Sequence, residues 1–161
     1  MTITSATKAY NIPGLRCGAM HFGSEALREQ FRMTVPDRML GITNRFGIEA
    51  TIVAWRQCAD WLSAVLEVLE RNRSRLVDWM AREVPTLRWH PPEATYLAWL
   101  DCTQVVPADA LPYQFLLETA RVALSDGAPF RRAGARHVRL HFGTSPEIME
   151  QVLARIAGAV A

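Results

Sequence analysis

The chain has 161 residues, half of them hydrophobic, about a fifth charged, with a net charge of +2 at pH 7. That length suits one domain with a real core and is short for two. The interspersed charges argue against disorder, and so small a net charge argues against nucleic acid as a partner. No apolar run reaches the length of a membrane span, and the opening MTITSATKAY lacks the layout of a secretion signal, so the expected setting is cytoplasmic.

The first forty-odd residues read as short, punctuated pieces. MTIT is strand-like, SATKAYNIPG a loop, LRCGAMHF strand-like again, and SEALREQF a short helix with Ser24 as a partial N-cap. MTVPDRMLGITN is a turn-rich connector. From Gly47 apolar residues recur at three and four, which predicts one helix ending near Gln57 and a long one from about Ala59 to Glu83, closed by Pro85. TLRWHPPEATYLAWLDC reads as two strands around a His-Pro-Pro turn, with Tyr96, Ala98 and Leu100 on one face and Leu97, Trp99 and Asp101 on the other. ALPYQFLLETARV is a helix, VALSDGAPF a short strand entering a glycine loop, and RHVRLHFG a strand. SPEIMEQVLARIAGAV is a terminal helix with Ser145 as N-cap and Pro146 at its first position. Helices and strands alternate, so the class is α/β or α+β.

Lys8 is the sole lysine; the other seventeen basic residues among the eighteen are arginines. An arginine cannot condense with an aldehyde, whereas a lysine amine of lowered pKa can. Ser5 lies three residues before Lys8 and Arg16 eight after it, with a Pro13–Gly14 bend between. A hydroxyl and a guanidinium so placed could cradle a phosphate beside the amine; a polar surface loop has the same spacing. Arg139 interrupts an apolar alternation between Val138 and Leu140. It is either an exposed charge or, if its face lines a cleft, a carboxylate clamp. The odd, widely spaced Cys17, Cys58 and Cys102 read as reduced and mostly buried thiols, and no metal site is expected. Trp55, Trp61, Trp79, Trp89 and Trp99 are expected to pack in the core. His21, His90, His137 and His141 are scattered. Arg71, Arg73 and Arg75, and the group Arg131, Arg132 and Arg136, read as solvated.

Four ordered blocks, SATKAYNIPGLRCG, PPEATYLAWLDC, ARVALSDGAPF and HVRLHFGTSPEIMEQVL, resemble the C-terminal part of fold-type-I pyridoxal-phosphate enzymes. The nearest branch is that of the cystathionine β-lyases, or C–S lyases, within the class I/II aminotransferase family. The resemblance implies that Lys8 is the Schiff-base lysine and proton carrier. It implies that Ser5 and Arg16 hold the phosphate of pyridoxal 5′-phosphate, and that Arg139 binds the α-carboxylate of an amino-acid substrate. A buried amine among cationic neighbours would have the lowered pKa this needs. The implied fold is an α/β small domain over residues 48–161, with residues 1–47 a remnant of the large cofactor domain.

The implied reaction is α,β-elimination on a cysteine-type thioether such as cystathionine; transamination is the close alternative, and a non-catalytic interaction module a third reading. Family members carry about half their polypeptide before the lysine block, so the chain is expected to be nearly inactive without such a half. It is expected to pair as a homodimer or with a complementing chain. Ala94 stands where many members have glycine, His141 where asparagine is common, and RRAGAR thins the usual glycine-rich approach to the arginine strand.

Overall fold

Ser5 shows how local chemistry starts this structure. In the computed structural model, which describes residues 1–130 and 132–160, its hydroxyl accepts the Thr7 N–H at 3.1 Å. That N-cap turns part of the expected loop into a one-turn helix, α1 (Ala6–Ala9). Arg131 lies outside the described residues. The chain packs as two compact units, Met1–Val65 and Leu66–Ala161.

In the first unit β1 (Thr2–Thr4) pairs antiparallel with β2 (Ala19–His21), Ile3 opposite Met20. Between them lie α1 and a tight turn, Pro13–Leu15, where the proline ring presets the backbone. α2 (Glu25–Thr34) starts where Ser24 accepts the Leu27 N–H at 3.3 Å. The connector holds a single turn, α3 (Asp37–Leu40). α4 (Arg45–Gln57) begins just before the expected Gly47, because Asn44 Oδ1 caps it by accepting the Gly47 N–H at 2.7 Å. It ends at Gln57, and α5 (Ala59–Glu83) follows, both as the periodicity predicts. The unit boundary falls within α5.

The second unit is built on a four-stranded antiparallel sheet of β3 (Arg88–Trp89), β4 (Leu97–Asp101), β5 (Ser125–Asp126) and β6 (His137–His141), in the order β3-β4-β6-β5. Between β4 and β5, α6 (Pro112–Phe115) widens into a π-helical turn, Leu116–Ala120, which Arg121 ends in the left-handed conformation. α7 (Pro146–Val160) closes the unit, Ser145 Oγ accepting the Ile148 N–H at 3.4 Å.

Alternation along β4 and β6 separates two faces. Ala98, Leu100, Val138 and Leu140 are buried, and they pack with Leu76, Trp79 and Met80 of α5 and Met149, Leu153 and Ile156 of α7. Each large apolar side chain buried this way contributes about 1.5–3 kcal/mol. Asn72 of α5 sits in the same apolar stripe, one turn before Leu76, and is 1 % exposed. Its Nδ2 donates to the carbonyls of Phe142 and Thr144, at 2.9 and 2.8 Å, which fixes the chain just beyond β6.

The tryptophans do not all pack as expected. Trp79 is buried and Trp89 half-buried, but Trp55, Trp61 and Trp99 keep at least a third of their surface exposed. Trp61 lies against Tyr10, ring centroids 6.1 Å apart, and Trp99 belongs to the sheet's outer face. Periodicity marks which side of an element is apolar; it does not say whether another element covers that side. Cys17 and Cys102 are buried, Cys58 is half-buried, and all three are free thiols. No described helix is long and apolar enough to cross a membrane.

Candidate active site

The lysine loop of the first unit is closed by one short hydrogen bond. Ser5 Oγ donates to the Cys17 carbonyl at 2.6 Å, tying the start of α1 to the residue after Arg16. The sequence-predicted pair, Ser5 and the Arg16 segment, is therefore brought together. Asn44 Nδ2 donates to the Leu15 carbonyl at 3.1 Å, so one side chain both caps α4 and anchors this loop. Gly47 is needed at that contact, because a side chain there would run into the Leu15 carbonyl. Arg16 adopts the left-handed conformation, φ 47°, and its side chain is exposed. Lys8 is exposed as well. The expectation of a buried amine is thus corrected: α1 is a single turn, and no element of the first unit covers its Lys8 side.

The second unit holds Arg139 differently. Val138 and Leu140 point into the core, so Arg139 lies on the outer face, opposite Trp99 of β4 and Ser125 of β5. It is half-buried rather than fully exposed. Its Nη2 donates to Ser125 Oγ at 3.3 Å, and its guanidinium lies 5.0 Å from the Phe130 ring centroid. Its Nε is buried without a hydrogen-bond partner, and no ion pair engages Arg139 among the described residues. A buried donor left unpaired costs free energy. Gly134 makes this arrangement possible: it approaches the Gly127 backbone and the Trp99 ring closely enough to exclude any side chain. It is the one glycine that RRAGAR retains.

Beside Arg139, Trp99 stacks on His137 with centroids 5.3 Å apart and meets Phe130 edge-on at 5.5 Å. Asp101 continues the same face. Partial burial raises its carboxyl pKa, but hydrogen bonds from the Thr103 hydroxyl and amide, with the charges of His137 and Arg88, outweigh that and hold it below the usual value. Its neighbour Cys102 faces the core, where burial, assisted by the Asp101 charge, pushes the thiol up to about 12.

Sequence reasoning missed Asn44, Asn72, Ser125 and Phe130. A polar residue inside the apolar stripe of α5 was a readable signal for Asn72. Ser125 and Phe130 carried none, since only strand pairing and a loop bring them to Arg139.

The model of the aminotransferase class I and II family matches residues 1–156, and the chain belongs to that family. It is 31% identical over 162 residues to a cystathionine β-lyase of Corynebacterium glutamicum, covering 99% of this chain and 42% of that protein. It is 28% identical to the cystathionine β-lyase PatB of Bacillus subtilis, covering 99% of this chain and 41% of PatB. The solved structure of the pyridoxal-phosphate-bound C–S lyase from Staphylococcus hominis superposes with a TM-score of 0.85 at 27% identity, over 98% of this chain and 41% of that one. The chain spans about two fifths of the length of the curated relatives it matches.

Proposed function

We propose that this chain serves a pyridoxal-phosphate-dependent lyase that breaks the C–S bond of a cysteine-type thioether such as cystathionine, releasing a thiol and, with uptake of one water, pyruvate and ammonia. The observation that carries this reading is Arg139, half-buried on the outer sheet face with an unpaired buried Nε. The cystathionine β-lyases among its relatives supply the reaction class.

The residues present fit the cofactor in kind. One loop offers an amine at Lys8, a guanidinium at Arg16 and hydroxyls at Ser5 and Thr7, Arg16 being free of ion pairs among the described residues. The Ser5 hydroxyl proton is directed to the Cys17 carbonyl, so Ser5 would have to re-aim it to donate to phosphate. Pyridoxal phosphate, when bound, supplies the electron sink that loosens the substrate's α-hydrogen. Lys8 Nζ is the amine that would hold the cofactor aldehyde and would carry the substrate's α-proton. Arg16 and Ser5 would hold the cofactor's phosphate. Arg139 receives the α-carboxylate through its paired N–H groups and so orients the α-carbon.

A second reading, transamination, is favoured by one relative, the aspartate aminotransferase of Pyrococcus horikoshii at 24% identity. The two readings share the proton abstraction by Lys8, and product analysis separates them: pyruvate with thiol against exchange of keto acids. The division of the chain at residues 47 and 48 into large-domain and small-domain parts belongs to this proposal. So does pairing with a second copy of the chain, which the exposed Met33, Ile42 and Phe46 support.

The test is to incubate the chain with pyridoxal phosphate, reduce with borohydride and map the modified amine by mass spectrometry, with Lys8→Arg as control. A saturable adduct on Lys8 that requires the phosphate group supports the reading. Labelling no stronger than at the N-terminal amine overturns it in favour of a non-catalytic module.

A further inference from the structure

The outer face of the second unit's sheet carries more than Arg139. Strand register sets two rows across it. Trp99, Arg139 and Ser125 form one; Arg88, Asp101 and His137 form the next, two residues along the strands. A cleft of ≈ 280 Å³ opens at the second row, lined by Arg88, Trp89, His90, Trp99, Asp101 and His137.

Arg88 and Asp101 stand directly opposite in register, yet neither is in an ion pair among the described residues. Asp101 Oδ1 accepts from the Thr103 N–H at 2.9 Å and the Thr103 hydroxyl at 2.5 Å, which pins the carboxylate and leaves Oδ2 free. His137 Nδ1 is buried without a partner. One exposed cation and one pinned anion across a single strand spacing suit a ligand group carrying both charges on one carbon. A simple anion would leave Asp101 unmatched, and a simple cation Arg88. Trp89 and Trp99 add apolar surface to the lining, which lowers the local dielectric around the charges.

The cleft is also joined to Arg139. Phe130, Trp99 and His137 run in contact from one row to the next. The rows are ~7 Å apart along the strand, a distance that a short chain of methylenes and a sulfur can bridge, and sulfur packs well against aromatic edges.

We propose that this cleft is a specificity site for the far α-amino-acid head of a thioether substrate, with Arg88 taking its carboxylate and Asp101 its ammonium. The proposal rests on the reading of Arg139 given above. It implies a preference for thioethers with an amino-acid head at both ends over S-alkyl cysteines.

The test titrates the ¹⁵N-labelled chain with L-cystathionine and with S-butyl-L-cysteine, which lacks the far head, following the Trp99 indole and the amides of Asp101 and His137. Cystathionine is expected to bind about tenfold more tightly, the value of one charged hydrogen-bonded contact. Asp101→Asn, which keeps the oxygen that Thr103 holds, and Arg88→Gln should each bring the ratio to within about twofold, leaving S-butyl-cysteine binding unchanged. A ratio near one in the unaltered chain, or one untouched by both substitutions, overturns the proposal. Arg139→Gln separates the two layers: if S-butyl-cysteine binds equally well without Arg139, the underlying carboxylate reading fails, whatever the cleft does. The same spectra show whether each variant is folded.

Discussion

The two units solve the burial problem to very different degrees. The second gathers nineteen buried residues into one cluster, among them Phe142, Leu76, Leu100 and Met149. The buried apolar residues of the first are Ala6, Cys17 and Ala54, all small, while Ile42, Met33 and Phe46 stand more than four-fifths exposed. A unit without large buried side chains draws its order from caps and loop ties such as those of Ser5, Asn44 and Gly47. Local opening costs little in such a region and approaches global unfolding in a packed one. The arginine face thus rests on a rigid platform, and the lysine loop on a lightly held one.

The widest expected gap is between two truncations. Phe142→Ala should lower the opening free energy of the slowest-exchanging amides of β4 and β6 by about 3–5 kcal/mol, whereas Ile42→Ala should alter protection by less than about 0.5 kcal/mol. Equal effects in hydrogen exchange would erase the contrast.

A smaller effect sharpens it. Asn72→Ala removes two donors and leaves the Phe142 and Thr144 carbonyls unsatisfied, at a cost of roughly 1–3 kcal/mol. Because those carbonyls flank the end of β6, the Arg139 amide resonance should shift although residue 139 is unchanged. A loss of stability with no change at Arg139 would make Asn72 a packing residue only.

The smallest effect is a pH dependence. Burial chiefly, and the Asp101 charge secondarily, push the Cys102 thiol from its ordinary 9.0 up to about 12 in the folded chain. Between those values the unfolded state binds fewer protons, so stability is complete well below pH 9 and falls as pH rises, by about 1–2 kcal/mol at pH 10. Urea titrations of the second unit at pH 8 and 10 should show that loss, and Cys102→Ala should remove it. A loss that survives the substitution would assign the alkaline limb to other groups.

Much of this was legible in the residues. Helical periodicity located α4 and α5 and the break between them, alternation assigned the two faces of β4, and Ser145 with Pro146 marked α7. The ordered blocks led to the family, and the sole lysine to a candidate nucleophile. These are local or pattern-borne properties, encoded within a turn or two of chain. The capping of α1 by Ser5 was equally local, and was hidden only because one turn is too short to show a period.

What tertiary structure alone decided are properties set by neighbours distant in sequence. The half-burial of Arg139 and its unpaired Nε depend on Trp99, Ser125 and Phe130, which strand register and a glycine contact bring to it. The opposition of Arg88, Asp101 and His137 arises only when three strands align. Trp55, Trp61 and Trp99 proved exposed because burial requires a second surface, which an element's own sequence cannot supply.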